Sequence, residues 1–331
     1  MVLHRKLPKL DLNLTNACNF NCVHCAFRSG ELDLGELSLS EIEKILIETK
    51  ELGGEKIDLT GGECTLRQDL GEIISLAKSL DYKIELVTNG SLLTRDKIIE
   101  FQQRGLDSIA ISLDGSDYST YHRIRKVPLS VYQTVLKTID NCLELGLKTK
   151  INTVVFESNL EDIPNITRWC AERGVYEHGI YYFTPIGRGS NSHELSADPF
   201  AWLDLIRERL SLYADQLKIS IEVPLIEKEK NLGEDSCLLS SDPFHLQILS
   251  DGNVYPCAIL ASYGLPIGNL HRESVVEIWN DEKRWKNYAD KISSSVFSQC
   301  RGHCFDLPYT YDTEKYSPVC PLRKFLPEAL N

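Results

Sequence analysis

Three cysteines lie within eight residues near the start of the chain, at Cys18, Cys22 and Cys25 in the stretch TNACNFNCVHCAF. A structural zinc site normally closes with four ligands, commonly as two Cys-x2-Cys pairs, whereas the spacing here is Cys-x3-Cys-x2-Cys. An iron–sulfur cubane held by three thiolates leaves one iron without a protein ligand, and that iron can bind a substrate or cofactor. The spacing therefore favours an open iron–sulfur cluster, with a zinc site completed from elsewhere in the chain as the alternative.

The overall composition argues against several other functions. The 331 residues carry a net charge of −12, which disfavours an electrostatic nucleic-acid binder or a protein held on an anionic membrane. No apolar run is long enough to span a membrane, and the first residues lack the apolar block of a secretory signal. We therefore expect a cytoplasmic protein, in which clustered members of the 11 cysteines are metal ligands or catalytic groups rather than disulfides.

Strands alternate with helices over the first two thirds of the chain. Residues with strand character occur at 9–14, 56–60, 83–88, 108–113, 148–155 and 179–184. Helical periodicity occurs at 39–52, 70–80, 93–105 and 131–146. This alternation implies parallel pairing, and six units are too few for a full eightfold barrel, so an open or partial (β/α)6 barrel or a doubly wound sheet is expected. In either fold the active site lies at the carboxyl ends of the strands.

Polar and glycine-rich residues follow the first four of these strands. The cysteines follow the first strand, and TGGE, TNG and SLDG follow the second, third and fourth. Ordinary turns between strands and helices also favour Gly, Asn and Asp. Their coincidence at four successive strand ends, together with the cysteines, favours one shared ligand site.

These motifs resemble those of the radical S-adenosylmethionine (radical SAM) enzymes, over roughly residues 8–190. The family signature is Cys-x3-Cys-x-aromatic-Cys, which the three cysteines match with His24 as the ring-bearing residue. The resemblance implies a partial TIM-like barrel in which S-adenosylmethionine binds the open iron of a 4Fe–4S cluster. It also implies that a reductant such as flavodoxin or ferredoxin supplies an electron, and that a 5′-deoxyadenosyl radical abstracts a hydrogen atom from the substrate.

The resemblance further assigns contacts with S-adenosylmethionine. The Gly-Gly-Glu strand end would receive the amino group, since a carboxylate accepts hydrogen bonds from an amine. An arginine of YHRIRK would pair with the methionine carboxylate; Arg125 aligns best and Arg123 is the alternative. The implied contacts are His24, Gly61, Gly62, Glu63, Asn89, Ser112, Asp114 and Arg125.

Cys64 stands where many members of the family have proline after Gly-Gly-Glu. We expect a small buried residue at a helix start. The alternative is a thiol near the cofactor that donates a hydrogen atom or binds a ligand. Cys142 and Cys170 lie in helical patterns and are predicted to be core residues.

The sixth strand end, YYFTPIGRG, places Tyr182, Thr184 and Arg188 near the expected pocket as candidates for substrate contact or catalysis. Ordinary strand and loop residues are the alternative for each. Because the cysteine motif begins at Cys18, we expect no separate leader-peptide-binding domain ahead of it. This favours a small-molecule substrate over a peptide and leaves the peptide as an alternative.

Five further cysteines follow residue 236. Together with the stretch DGNVYPC, they resemble the SPASM and twitch extensions of radical SAM enzymes, which bind auxiliary 4Fe–4S clusters. A full SPASM domain holds two clusters and includes a Cys-x2-Cys pair absent here, so one cluster in a twitch-like domain is favoured, with a zinc site as the alternative. The resemblance implies four ligands among Cys237, Cys257, Cys300, Cys304 and Cys320, where Cys320 replaces Cys300 or stays free.

We accordingly expect a radical SAM partial barrel at 1–195, a linker or helical connection at 196–235 and a twitch- or SPASM-like domain at 236–331. An auxiliary cluster suggests an oxidative outcome, such as dehydrogenation, desaturation or a crosslink in a small molecule or peptide. The alternatives are an enzyme that matures ribosomally made peptides and one that modifies side chains of a tetrapyrrole or another cofactor. An iron–sulfur electron carrier is the alternative from another class, although a carrier does not need the Gly-Gly-Glu and Ser-Leu-Asp-Gly strand ends. No nucleic-acid or membrane partner is expected.

Overall fold

Ten strands form the main sheet of the computed structural model, which describes residues 6–31, 35–192, 197, 205–221, 225–227, 245–294 and 316–318. Two further strands within these ranges pair only with each other. The strands are β1 (Lys9–Asn13), β2 (Lys56–Thr60), β3 (Lys83–Thr88), β4 (Ser108–Ser112), β5 (Lys148–Val155), β6 (Glu177–Tyr182), β7 (Lys218–Ile221), β8 (Leu225–Glu227), β9 (His245–Ile248), β10 (Asn253–Tyr255), β11 (Gly268–Asn269) and β12 (Tyr316–Pro318).

Helices connect the successive strands β1 to β6, and further helices follow β10 and β11. In the described part of the chain they are α1 (Leu39–Glu51), α2 (Leu70–Ser79), α3 (Arg95–Gln103), α4 (Tyr118–Arg125), α5 (Leu129–Glu144), α6 (Ile163–Glu172), α7 (Ala258–Ser262), α8 (Val275–Asn280) and α9 (Glu282–Ser294). Short helical turns occur at Cys64–Leu66, Glu157–Asp162, Gly187–Gly189, Ile206–Leu210 and Ser211–Tyr213. No helix among the described residues is both long enough and apolar enough to cross a lipid bilayer.

Local sequence accounts for the position of α1. Ser38 caps its first turn by accepting a hydrogen bond from the backbone of Glu41, whose side chain binds back to Ser38. This reciprocal capping box satisfies backbone donors that a helix start leaves without partners. The apolar residues Ile42, Ile45 and Leu46 then recur at helical spacing and are buried.

Strands β1 to β6 lie side by side in chain order, and every neighbouring pair is parallel. The register places Asn13 opposite Thr60, and Ser112 opposite Asn152. Strand β7 adds to the sheet beside β6, also parallel. The predicted partial (β/α)6 barrel is confirmed, and the polar strand ends consequently meet at one edge.

The sheet also extends beyond β1, which the sequence did not predict. Strand β9 pairs parallel with β1, and the hairpin expected around Asp251 and Gly252 joins β9 to the antiparallel β10. The side-chain amide of Gln247 donates to Asn13 Oδ1 at 2.7 Å, across 234 residues of sequence. The linker proposed at 196–235 is described only in part, and its boundaries stay a prediction.

The two faces of the barrel strands differ in character. Leu10, Leu12, Ile57 and Leu59 are completely buried within the hydrophobic core. Alternate positions place charged side chains on the other face, because successive residues of a strand point to opposite sides. These side chains form a basal ion-pair row near the amino ends of the strands, made of Lys9, Asp58, Glu85, Lys150, Glu177 and Lys218.

Candidate functional site

A cavity of ≈ 310 Å³ lies where the carboxyl ends of the barrel strands meet. Its volume falls in the range of ligand-binding pockets. Residues from all the predicted motifs and from the sixth strand end line it. Among the lining residues are Cys18, Cys22, His24, Cys25, Gly61, Gly62, Asn89, Ser112, Arg125, Tyr182, Thr184 and Arg188.

Each cysteine sulfur lies near an N–H donor. The backbone N–H of Phe20 donates to Cys18 Sγ at 3.4 Å, and that of Ser29 donates to Cys25 Sγ at 3.3 Å. The Cys22 sulfur faces the guanidinium of Arg125, with Nη1 at 3.6 Å. Hydrogen bonds to sulfur are one of the means by which proteins tune iron–sulfur clusters.

The protonation of two of these thiols depends on burial. Burial raises the pKa of Cys18 to about 11 and also raises the pKa of Cys22, even though the guanidinium of Arg125 opposes that shift. Without metal both thiols are therefore neutral at physiological pH, and a metal that binds them must displace their protons. The three thiols line the cavity separately: among the described residues, no three His, Cys, Asp or Glu side chains are gathered to hold a single ion. Three soft sulfur donors served by N–H groups fit an iron–sulfur cluster.

The two glycines after β2 support the residues that lead into the cysteines. Gly62 N–H donates to Thr15 O at 2.7 Å. A Cβ on Gly62 would lie 2.3 Å from Ala17 O, and one on Gly61, whose φ is +140°, would lie 2.5 Å from Thr15 O. Only glycine permits this approach of two backbones, so both residues shape the cavity as well as line it.

Glu63 does not line the cavity, although its neighbours do. The residue is 1% exposed. The Cys64 thiol lies 3.9 Å from the Glu63 carboxylate, which also accepts hydrogen bonds from four N–H and O–H donors. The donors are Thr65 N (3.1 Å), Thr65 Oγ1 (2.6 Å), Thr88 Oγ1 (2.7 Å) and Asn89 N (2.7 Å). Glu63 thereby ties the end of β2 to the end of β3.

Asp114 is likewise fully buried and outside the cavity lining. Its carboxylate binds Arg125 Nε and accepts a hydrogen bond from Val154 N at 2.8 Å. Arg125 does line the cavity, whereas the alternative Arg123 is exposed on α4. The buried pair holds one edge of the guanidinium, and its other edge reaches Cys22.

Asn89 connects the end of β3 to the cysteine segment. Its Nδ2 donates to Asn19 Oδ1 at 2.9 Å, and its Oδ1 accepts a hydrogen bond from Ser91 N at 2.9 Å. Asn19 in turn donates to Ser91 Oγ at 2.9 Å. Asn89 thus both lines the cavity and fixes the residue that follows Cys18.

His24 packs against a pair of aromatic rings, those of Phe156 and Phe183, which contact each other. Its ring meets Phe156 edge-on, with 5.3 Å between the ring centroids. Burial, followed by the positive charge of Arg125, lowers the pKa of His24 to about 4, so the ring is neutral near pH 7. Nδ1 is buried and has no hydrogen-bond partner among the described residues.

The sixth strand end contributes in a way that sequence reasoning missed. Arg188 donates to Cys22 O at 2.8 Å and to Ser29 O at 2.6 Å, so its guanidinium holds the cysteine segment. Tyr182 lines the cavity with its hydroxyl bonded to Ala197 O at 2.5 Å. Only the Gly-Arg-Gly triplet hinted that a backbone passes close to this turn.

The remaining cysteines of the barrel are core residues. Cys64 is fully buried outside the cavity lining, and its thiol donates to Val87 O at 3.2 Å. This favours the packing alternative over a hydrogen-atom donor, because a radical formed in the cavity does not meet the thiol directly. Cys142 on α5 and Cys170 on α6 are also completely buried.

The auxiliary-cluster prediction falls mostly outside the described residues. Cys257 is half-buried just before α7. Cys237, Cys300, Cys304 and Cys320 lie in parts of the chain that the structure does not describe. Whether Cys300 or Cys320 completes a cluster therefore stays a prediction.

Two family patterns match the chain. The radical SAM superfamily matches residues 12–170, and the SPASM iron–sulfur cluster-binding domain matches residues 237–305. An AdoMet-dependent heme synthase of Methanosarcina barkeri is 27% identical over 310 residues, which cover 88% of this chain and 87% of that protein. A probable GTP 3′,8-cyclase of Sulfurisphaera tokodaii is 31% identical over 217 residues, covering 65% of this chain and 67% of that protein.

Solved structures show the same fold at low sequence identity. Streptococcus suis SuiB bound to S-adenosylmethionine has a TM-score of 0.73 and 18% identity, covering 92% of this chain and 74% of SuiB. The protein anSMEcpe with bound AdoMet has a TM-score of 0.66 and 16% identity, covering 90% of this chain and 88% of that one. SuiB has also been solved with its precursor peptide SuiA.

Proposed function

The chain belongs to the radical SAM superfamily, and on that premise we propose that it cleaves S-adenosylmethionine reductively, abstracts a hydrogen atom from its substrate and completes an oxidative modification. The predicted cofactors are confirmed, since a radical SAM domain binds S-adenosylmethionine and a 4Fe–4S cluster, and a SPASM domain binds auxiliary iron–sulfur clusters. When bound and reduced, the first cluster supplies the electron that breaks the carbon–sulfur bond of S-adenosylmethionine. We propose which residues hold these groups and that the outcome of the reaction is oxidative.

One observation supports the proposal most strongly. Three cysteine thiols, two glycines and Ser112 come from separate strand ends and converge on a single cavity with Arg125, the last residue of α4. An electron carrier needs only the thiols. A cavity that adjoins them, lined by polar groups and by a cationic guanidinium, suits a ligand with a carboxylate and an amino group.

We assign Cys18, Cys22 and Cys25 as the cluster ligands. Arg125 has N–H groups beyond those that bind Asp114, and a guanidinium fork matches a carboxylate in geometry and charge. Arg125 is therefore assigned to the methionine carboxylate, with Asp114 as the residue that orients it.

The other predicted contacts divide between ligand binding and support. We assign Gly61, Gly62 and Ser112 to contacts with S-adenosylmethionine. His24 presents a neutral ring at the cavity wall. Glu63 is assigned to support instead, because its carboxylate is already occupied by four N–H and O–H donors. It fixes the backbone of Asn89 and so the shape of the cavity.

Oxidative chemistry is inferred from the SPASM match at 237–305. A substrate radical that loses a second electron to an auxiliary cluster yields a dehydrogenated, desaturated or crosslinked product. Four of Cys237, Cys257, Cys300, Cys304 and Cys320 remain the proposed ligands of that cluster. A flavodoxin or ferredoxin is the proposed source of the first electron.

Modification of a tetrapyrrole side chain is a second candidate. The heme synthase relative from Methanosarcina barkeri matches along nearly the full length of both proteins, whereas the cyclase relative matches along about two thirds. This observation favours a tetrapyrrole over other small molecules. A peptide substrate remains the alternative, supported by the fold that the chain shares with SuiB.

The test is anaerobic turnover of the full chain after reconstitution with iron and sulfide. With S-adenosylmethionine and dithionite, we expect 5′-deoxyadenosine in chromatographic assays. We expect more of it when an iron tetrapyrrole is added. Cys22→Ala should reduce the product to background, whereas Cys142→Ala, which removes a buried thiol distant from the cavity, should not. A protein that binds iron and sulfide but forms no 5′-deoxyadenosine would be an electron carrier, and zinc in place of iron would refute the cluster.

A further inference from the structure

The turn after β6 packs directly on the cysteine loop, which we define as residues 18–30. Arg188 supplies three hydrogen bonds to carbonyl oxygens of this loop: Nη1 to Cys22 O (2.8 Å), Nη2 to Ser29 O (2.6 Å) and its backbone N–H to Cys25 O (2.9 Å). Two of these carbonyls belong to Cys22 and Cys25 themselves, and the third belongs to Ser29, four residues after Cys25. A single residue therefore fixes the part of the loop that carries two of the three proposed ligands.

The glycines on either side of Arg188 make this contact possible. Gly187 has a φ of +56°, and a Cβ there would lie 2.1 Å from Ala26 O and 2.4 Å from Cys25 O. A Cβ on Gly189 would lie 2.8 Å from the ring of Phe183. The turn and the loop thus meet backbone to backbone, without room for a side chain between them.

The guanidinium of Arg188 has a different type of hydrogen-bond partner from that of Arg125. Arg125 is paired with the buried carboxylate of Asp114, whereas in the described part of the chain the hydrogen-bond acceptors of Arg188 are carbonyl oxygens. Arg188 also lines the cavity, together with all three cysteines. Among the described residues no carboxylate pairs with Arg188, and a cationic group of this kind stabilises an electron added nearby.

We propose that Arg188 is a positioning residue for the cluster: its guanidinium locks the loop that carries Cys22 and Cys25, and its charge raises the reduction potential of the cluster held there. The proposal rests on the proposed function in requiring a cluster on the three cysteines. It replaces substrate contact as the role of Arg188.

The test uses the full chain, reconstituted anaerobically, as wild type, Arg188→Gln, Arg188→Lys and the control Arg28→Gln. Arg28 lies on the same loop, but the residue is exposed, and within the described ranges its guanidinium makes one hydrogen bond, a 3.5 Å contact with Ser190 Oγ. The measurements are iron and sulfide per chain, the rate at which a chelator removes the cluster, and the midpoint potential with the electron paramagnetic resonance spectrum of the reduced cluster.

We expect Arg188→Lys to lose its cluster several-fold faster than wild type while keeping a potential close to it, because an ammonium keeps the charge but not the fork that spans two carbonyls. Arg188→Gln should lose the cluster at least as fast and show a more negative potential. Arg28→Gln should match wild type in every measurement.

The proposal is overturned if both Arg188 variants keep the wild-type rate of cluster loss and the wild-type potential. If Arg188→Gln does not fold, Arg188→Lys decides through its rate of cluster loss, and a wild-type rate overturns the locking role. A wild-type protein that holds no iron–sulfur cluster would instead refute the proposed function, so the two failures are distinguishable.

Discussion

The two ends of the barrel both carry charged side chains, but they neutralise them differently. At the amino end, the basal ion-pair row matches each lysine with a carboxylate, as in Lys9–Asp58 at 2.7 Å and Lys218–Glu177 at 2.8 Å. At the carboxyl end, Arg125 is paired with Asp114, whereas the guanidinium of Arg188 binds carbonyl oxygens and has no carboxylate partner among the described residues. The charged groups at the amino end are paired with each other, whereas the carboxyl end keeps a cationic group that can interact with a ligand.

Burial adds to this difference. The side chain of Asp114 is 0% exposed and that of its partner Arg125 is 9% exposed, whereas Lys218 in the basal row is 55% exposed. A buried charge that loses its partner is costly, and an exposed pair contributes little. The comparison therefore predicts that changes at the carboxyl end affect both stability and function, while changes at the amino end affect stability alone.

The largest effect is expected for Asp114→Asn. The substitution leaves the guanidinium of Arg125 buried without a counter-charge, and breaking such a pair costs about 3–5 kcal/mol. Urea unfolding of the metal-free protein would measure the loss, and S-adenosylmethionine binding should weaken as well. A loss no greater than that of Glu85→Gln in the basal row would contradict the contrast between the two ends.

A smaller effect is expected for Gly62→Ala. The new Cβ would meet Ala17 O at 2.3 Å, so the residues leading into the cysteine loop must shift. Overpacking of this kind costs about 1–3 kcal/mol. Iron and sulfide per chain after reconstitution should fall, with 5′-deoxyadenosine falling in proportion.

Gly30→Ala is the matched control for that substitution. Gly30 lies on the cysteine loop, which begins just after the residues that Gly62 contacts, and a Cβ on Gly30 would meet nothing within 4 Å. If the two variants load cluster equally well, close backbone packing at Gly62 is not what shapes the loop.

The smallest effect is expected in the basal row, for Glu177→Gln. Burial alone would raise the pKa of Glu177, but hydrogen bonds from Lys218 and Ser220 outweigh it and lower the pKa below its usual 4.5. A lowered carboxyl pKa stabilises the fold above pH 4.5, and this contribution disappears as the pH falls through the lower folded value.

Glu177→Gln should therefore destabilise the protein by about 1 kcal/mol at neutral pH, and by less in acid. Urea unfolding at the two pH values measures this change. Formation of 5′-deoxyadenosine should stay unchanged, and a drop in it would show that the amino end also serves the reaction.

Local patterns were enough to predict the parallel sheet, and the resemblance to radical SAM enzymes favoured a partial barrel over a doubly wound sheet. The alternation of strand and helix periods implied six parallel units, and β1 to β6 lie side by side in that order. The same alternation brought the motifs at four strand ends to one edge, because the carboxyl ends of parallel strands meet there. Neither result depends on which distant side chains bind each other.

Partner choice among polar side chains could not be predicted in this way. Glu63 was expected to face the ligand, yet its carboxylate binds Thr88 and the backbone of Asn89, which lie 25 and 26 residues away. Arg188 was only a candidate for substrate contact, and no pattern predicted that it binds Cys22 O, which is 166 residues away. A polar side chain in a motif has several possible hydrogen-bond partners, and which of them it binds depends on where the packed fold places them.

The sequence alone determined the cysteine spacing, the order of the strand ends and the parallel sheet, because thiol chemistry, turn residues and side-chain periodicity act over a few neighbouring residues. The tertiary structure decided that β9 extends the sheet beside β1, that Glu63 supports the cavity and that Arg188 holds the cysteine loop. These depend on contacts between segments far apart in the chain, which only the packed fold brings within hydrogen-bonding distance.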